Sequence, residues 1–253
     1  MIEALLPPEV SLAFAVLLAL GSAATSALTA AFGLGGGIAM LALMSLGVPV
    51  AALIPVHGVV QLGSNIGRAV VQRRHIDWRT MGVFAAGSLV GAGIGALVVI
   101  SLPEPVLKIG LSAFIAWAVF APKPRLSARG SDALIAGGGV VSTFASMFFG
   151  ATGPITMAVI ATRGLVKHAL VATFASAMVM QHSFKIAAFG SLGFDFRPWA
   201  PLLATIIFFG FLGTVFGSRV LDRIPDRWFM TGFRAVMILL AANLFVEGVR
   251  SAL

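Results

Sequence analysis

The sequence predicts an all-α, polytopic inner-membrane protein made of two inverted-topology repeats, each a broken, re-entrant helical hairpin followed by three transmembrane helices. Composition is the first observation. Of 253 residues, 59% are hydrophobic and only 10% charged, and a mean hydropathy of +1.03 leaves too little polar surface for a water-soluble globule. The second is length: apolar stretches run over about 10–32, 51–71, 81–101, 106–121, 133–149, 169–189, 199–220 and 229–249, and several reach the ~20 residues a spanning helix needs. The third is a motif that occurs twice.

The elements follow in order. Met1 to Val10 carries Glu3 and Glu9 but no basic residue, unlike the positive start of a cleaved signal peptide, so the first helix is expected to be kept. Residues 23–37 then return 117 positions later at 140–154. Thr25, Ser26 and Thr29 fall on Ser142, Thr143 and Ser146, and Phe32 and Gly33 fall on Phe149 and Gly150. Between Gly37 and Pro49 there is room for a helix of about 15 Å, against a hydrocarbon core of about 30 Å. The stretches 10–32 and 38–46 therefore read as two limbs of a hairpin that turns back near the bilayer centre, and 133–149 with 155–162 read as its copy. Three spans follow each hairpin. Asp77-Trp78-Arg79 matches Asp195-Phe196-Arg197, while Gly91, Gly95 and Pro103 match Gly213, Gly217 and Pro225.

Charge gives the topology. Arg73, Arg74, His75 and Arg79, and then Lys123, Arg125 and Arg129, mark two cytoplasmic loops by the positive-inside rule. The equivalent loops of the second half have the opposite character: 190–198 is poor in basic residues, whereas Arg219, Arg223 and Arg227 mark a cytoplasmic turn. The halves are therefore expected to be inverted about an axis in the membrane plane. One membrane domain fills the chain, with repeat one at about 10–121, a cytoplasmic linker at about 122–132 and repeat two at about 133–253. Both termini are expected in the periplasm. The net charge of +8 is accounted for by these loops, and no nucleic acid is needed to explain it. Trp78, Trp117, Trp199 and Trp228 lie near predicted helix ends, as an aromatic belt requires.

Non-helical backbone inside a bilayer must line a cavity or pack within protein. The breaks are Gly33, Gly35, Gly36 and Gly37, and Gly150, Thr152, Gly153 and Pro154. Each precedes a short helix whose free N–H groups and positive dipole end point at the tip. Two such ends converging would cradle an anion, with Thr25, Thr29, Ser142 and Ser146 alongside. Glycine that only allows close helix crossing, as in Gly87-x-x-x-Gly91-x-x-x-Gly95, is the plainer alternative. The next helix adds a polar stripe, His57, Gln61, Ser64, Asn65 and Arg68, one face at helical spacing. Its copy holds Phe174, Met178, Gln181, His182 and Lys185. Gln61, Asn65, Gln181 and His182 are candidate substrate ligands, with His57, Arg68 and Lys185 secondary. The two cations are expected toward the helix ends, where snorkelling to the interface is the competing account.

The acids Glu3, Glu9, Asp77, Glu104, Asp132, Asp195, Asp222, Asp226 and Glu247 all sit at termini or turns, so no mid-membrane carboxylate is placed to carry a proton or hold sodium. Without a nucleophile, base and acid together, no catalytic site is expected. No metal site or cofactor is expected either, and cysteine is absent. A small anionic substrate fits that balance.

Phe32-Gly33-Leu34-Gly35-Gly36-Gly37, Gly47-Val48-Pro49-Val50-Ala51-Ala52, Arg73-Arg74-His75-Ile76-Asp77-Trp78-Arg79 and Gly150-Ala151-Thr152-Gly153-Pro154 resemble the TauE/SafE family. The resemblance covers both halves. It implies movement of sulfite, sulfoacetate and related organosulfonates across the inner membrane, usually outward; rocking of the two halves is the expected means of alternating access. Uptake by the same fold, or an anion channel, stays open, as does a homodimer. Two departures bear on the substrate: Ala39-Met40-Leu41 stands where a proline is common in the family, and Thr152 replaces a glycine.

Overall fold

A computed structural model describes residues 6–32, 35–99, 103–120 and 130–221, together with 235, 238–239, 241–243, 245–246 and 248–252 near the end. The main elements are α1 (Leu12–Phe32), α2 (Gly36–Met44), α3 (Val50–Val71), α4 (Trp78–Val99), α5 (Glu104–Phe120), α6 (Asp132–Phe149), α7 (Gly153–Ala161), α8 (Lys167–Ser191) and α9 (Ala200–Leu221). Every described element is helical. Five helices, α1, α3, α4, α6 and α9, contain stretches long and apolar enough to cross a membrane, so the chain is an all-α, multi-pass membrane protein. At 25 residues α8 is the longest, but its polar residues keep it out of that apolar set. Most of the last predicted span, with Arg223, Arg227 and Trp228, lies outside the described residues, as do Gly33 and the basic loop with Lys123, Arg125 and Arg129.

The hairpins break where the duplicated motif places its glycines. Gly35 has φ 103° and Gly150 φ 73°, conformations that cost a side-chain-bearing residue dearly and glycine little. The limbs are unequal. α2 and α7 have nine residues each, about 14 Å at 1.5 Å per residue. α1 and α6 are long enough to cross the membrane, so a turn at the bilayer centre, expected from the short limbs, does not follow from the long ones. Local capping is legible too. Asp77 Oδ1 accepts from Thr80 N at 2.8 Å and starts α4, and Ser131 Oγ accepts from Leu134 N at 3.2 Å and starts α6.

The chain forms two compact units that each draw on both sequence halves: Met1–His57, Leu102–Ala121 and Asp195–Leu253 in one, Gly58–Ser101 and Pro122–Phe194 in the other. In the first unit α2 runs antiparallel to α1, with Gly36 against Thr25 and Thr29, Gly21 against Leu43 and Gly47 against Phe14. Parallel to α1 lies α9. Ser22 Oγ donates to the Ile206 carbonyl at 2.8 Å, and a methyl on Gly213 would collide with the Ala23 carbonyl.

In the second unit α7 folds back on α6, with Gly138 against Val159 and Gly130 N donating to Thr162 O at 2.9 Å. Parallel to α6 lies α4. Methyls on Gly87 and Gly91 would strike the carbonyls of Ala136 and Val140, one on Gly95 would meet Met147, and one on Gly139 would meet the Phe84 carbonyl. Such small residues are what let helix backbones approach in lipid.

The two sets of contacts use the same positions. Gly91 is the sequence equivalent of Gly213, and Val140 of Ala23, so one pair of positions touches in both units with its members exchanged between the halves. Phe84 with Gly139 repeats Ile206 with Ser22. Where Ser22 carries a hydroxyl opposite Gly210, Gly139 carries nothing opposite Ser88, so the side-chain volume has moved from one helix to its neighbour.

Candidate functional site

The second hairpin holds the densest polar cluster described. Ser142 on α6, Thr152 and Thr156 at the start of α7, and Gln181 on α8 are all fully buried. Thr152 Oγ1 donates to the Ser142 carbonyl at 3.0 Å and receives Gln181 Nε2 at 2.8 Å. Gln181 Oε1 receives Ser142 Oγ at 3.1 Å and Thr156 Oγ1 at 3.2 Å. The Ser142 and Thr156 hydroxyls bond each other, and Ser142 Oγ also lies 3.3 Å from Thr152 Oγ1. One turn further along α8, Lys185 is fully buried and its Nζ donates to the Gly150 carbonyl at 3.0 Å. That carbonyl belongs to the positive-φ residue joining the limbs.

This differs from the expected cradle of bare amides. In α7 Pro154 has no N–H, while the N–H groups of Ile155 and Thr156 bond Thr152 O at 3.0 and 3.1 Å. Among the described residues, Gly153 N is then the one donor of that first turn with no described partner. Polar chemistry at this tip comes from side chains, and in this conformation it is sealed from water. Lys185 is not extended into solvent as a snorkelling side chain would be: it is fully buried and reaches across to the hairpin.

The first hairpin is drier. Gly36 sits so close to the Thr25 carbonyl and the Thr29 hydroxyl that no side chain would fit. Thr29 Oγ1 donates to Thr25 O at 3.0 Å and Thr25 Oγ1 to Ser22 O at 3.3 Å, both within α1. The Gly37 carbonyl accepts from His57 Nε2 at 2.9 Å, and His57 is fully buried. Ala39 N bonds Gly35 O at 3.0 Å, and among the described residues the amides of Gly36, Gly37 and Ile38 have no described partner at this tip.

Along α3 the polar stripe is bonded to itself. Asn65 Nδ2 donates to the Gln61 carbonyl at 2.7 Å and Asn65 Oδ1 accepts from Arg68 at 2.8 Å. Gln61 and Asn65 are buried and Arg68 half-buried. Ser146 bonds Thr143 O within α6 at 2.9 Å. His182 is fully buried beside Gln181 on α8. The structure thus brings together Ser142, Gly150, Thr152, Gln181 and Lys185. It leaves Thr25, Thr29, Ser146, Asn65 and Arg68 bonded along their own helices.

Two contributors were not singled out from the sequence. Thr156 is four residues after Thr152, one helical turn on the same face, which was a readable signal; its counterpart in the first half is Ala39. Gly58 on α3 lies where a methyl would come within 2.9 Å of Lys185 Cε, and nothing in its local pattern announces that. The tryptophans divide. Trp78 and Trp117 are exposed as a belt requires, but Trp199 is buried.

Among the described acids, Asp77, Glu104 and Asp132 stand at helix starts and Asp195 in a turn. Asp132 pairs with Arg79 at 2.9 Å and with Arg163, and Asp195 with Arg197 at 2.9 Å. Among the described residues no carboxylate pairs with Lys185.

The family model described as Sulfite exporter TauE/SafE matches residues 17–244, nearly the whole chain. Compared with curated proteins and with solved structures, the chain has no match.

Proposed function

Because the chain belongs to the TauE/SafE family, we propose that it exports sulfite, sulfoacetate or a related small organosulfonate across the inner membrane, and that the second hairpin supplies the binding groups. The observation that carries this reading is the buried set Ser142, Thr152, Thr156, Gln181 and Lys185, rich in donors, holding a cation and paired with no acid among the described residues. A sulfite or sulfonate head has three acceptor oxygens and a negative charge. Three hydroxyls, an amide NH2 and an ammonium match it group for group.

In the closed conformation these donors satisfy one another. An unsatisfied buried polar group costs about 1–3 kcal/mol, so the internal bonds hold the empty tip shut. An arriving anion must exchange for them bond by bond, and alternating access is the opening and closing of that knot. Outward movement needs no ion coupling, since a cell-negative potential contributes about 2.3 kcal/mol per charge per 100 mV. On this reading Gln61, Asn65 and His182, and the tip residues Gly33, Gly35, Gly36, Gly37 and Gly153, are ligands of other steps in the path. We read the halves as inverted repeats from the exchanged contacts of Gly91 with Val140 and Gly213 with Ala23, and the termini as periplasmic from the charge of the loops.

Purified protein in liposomes tests this. Sulfite- or sulfonate-dependent flux should appear, and Gln181→Ala or His182→Ala should reduce it. Flux that neither substitution changes would remove these side chains from the mechanism, and no flux of any sulfur anion would end the reading.

A further inference from the structure

Resting on the transporter reading, we propose that Lys185 is the counter-charge of the transported anion, and that its bond to the Gly150 carbonyl is a latch that anion binding releases. The placement of Lys185 is unlike that of every other cation described. Arg79 and Arg163 pair with Asp132 at the start of α6 and Arg197 with Asp195 in a turn, and Arg68 bonds an amide from a half-exposed position. Lys185 is fully buried and its one described partner is a neutral carbonyl.

An ammonium has three N–H donors. One is placed on Gly150 O at 3.0 Å, and two have no partner among the described residues. A buried charge left without compensation is costly. An oxoanion supplies both the missing charge and the missing acceptors. Gln181, on the same face of α8 one turn earlier, and through it Thr152 and Thr156, lies where the anion's other oxygens would be received.

The stem of the lysine lies close against α3 at Gly58, where even a methyl would press on Cε at 2.9 Å. Glycine at that position is what lets the stem pass, so a side chain there would constrain any turn of Nζ toward the anion. When it turns to the anion, the carbonyl at the positive-φ joint between α6 and α7 loses its donor. Occupancy of the site is thereby transmitted to the hinge of the hairpin, so the same residue that neutralises the substrate frees the segment that must open.

The test uses the full chain in detergent with sodium sulfite as probe, reading thermal stabilisation and amide hydrogen exchange over 148–156. Wild-type protein should be stabilised by sulfite, and exchange over 148–156 should rise when sulfite binds. Lys185→Met should melt no lower than wild type without sulfite, because it removes a buried charge. It should bind sulfite about ten- to a hundredfold more weakly, the worth of a hydrogen bond to a charged group, and exchange fast over 148–156 with or without sulfite. Lys185→Arg should retain more of the affinity than Lys185→Met. Gly58→Ala, which leaves the charge but crowds the stem, should weaken sulfite binding less than Lys185→Met does.

Sulfite affinity of Lys185→Met within threefold of wild type would overturn the inference and leave the transporter reading standing. A Lys185→Met protein that melts well below wild type and still binds sulfite would reduce Lys185 to a structural tie. Wild type that neither sulfite nor a short sulfonate stabilises would overturn both.

Discussion

The two hairpins are built from one motif and finished differently. In each, a nitrogen-bearing side chain from the helix after the hairpin takes a tip carbonyl: His57 on Gly37 at 2.9 Å and Lys185 on Gly150 at 3.0 Å. The two do not occupy equivalent positions, since His57 corresponds to Phe174 and Lys185 to Arg68. The first tip closes by glycine pressed on threonine, with Ala39 where the second has Thr156. Around the second tip the small residues are replaced by hydroxyls and an amide that bond one another. The geometric role of the tip is thus duplicated, while the bonded polar side chains are concentrated in one copy. What the repeat preserves is the backbone break and the close helix crossings beside it.

The strongest way to break that comparison is at the crossings. Gly91→Ala and Gly213→Ala each put a methyl into a backbone carbonyl, which cannot yield as a flexible side chain can, and overpacking of this kind costs about 1–3 kcal/mol or more. Both variants should lose comparable stability in thermal unfolding of the detergent-purified protein. Gly93→Ala, with nothing within 4 Å, should be neutral or gain up to about 1 kcal/mol from helix propensity. A silent Gly213→Ala beside a collapsed Gly91→Ala would break the equivalence of the two crossings.

Less severe, and aimed at the difference between the tips, is the pair Gln181→Leu and His57→Leu. The first strips the Ser142, Thr152 and Thr156 hydroxyls of a shared partner, at about 1–3 kcal/mol for each polar group left unsatisfied. The second frees the tip carbonyl of its imidazole donor, about 1 kcal/mol. Chemical unfolding should therefore rank Gln181→Leu the more damaging, and the reverse order would mean that the first tip carries the greater polar load.

The smallest effect belongs to the loop motifs. Asp77 caps α4, but its copy Asp195 folds onto Arg197 in an exposed turn. Arg197 holds the Asp195 carboxyl below the usual carboxylate range. Its contribution is in place at neutral pH and fades as pH falls through that lowered value. Since the pair is open to solvent, Asp195→Asn should leave the melting temperature at neutral pH almost unmoved, whereas Asp77→Asn should lower it measurably.

Much of the fold was legible because bilayer physics leaves few options for apolar sequence. The helix bounds, the breaks at Gly35 and Gly150, and the tight crossing through Gly87, Gly91 and Gly95 follow from hydropathy, the lack of a Cβ and small-residue spacing. The site was legible only as a list of residue types. Spacing placed Gln181 and Lys185 on one face of α8, but which carbonyl the lysine reaches depends on how α6, α7 and α8 pack. A helix start is expected to offer free amides, and α7 offers few. Pro154, visible in the sequence, already removed one of them, and Thr152 O takes two more.

The account rests on the sealed second tip opening to water during transport, and the absence of native cysteine makes that directly measurable. Thr152→Cys, as the single cysteine in liposome-reconstituted protein, should react slowly with a membrane-impermeant thiol reagent at rest, faster under conditions of anion exchange, and be protected by saturating sulfite. A Val166→Cys control, at a position 75% exposed, should label throughout. If Thr152→Cys stays unreactive under every condition while the control labels, the second hairpin is a structural core and the anion passes elsewhere.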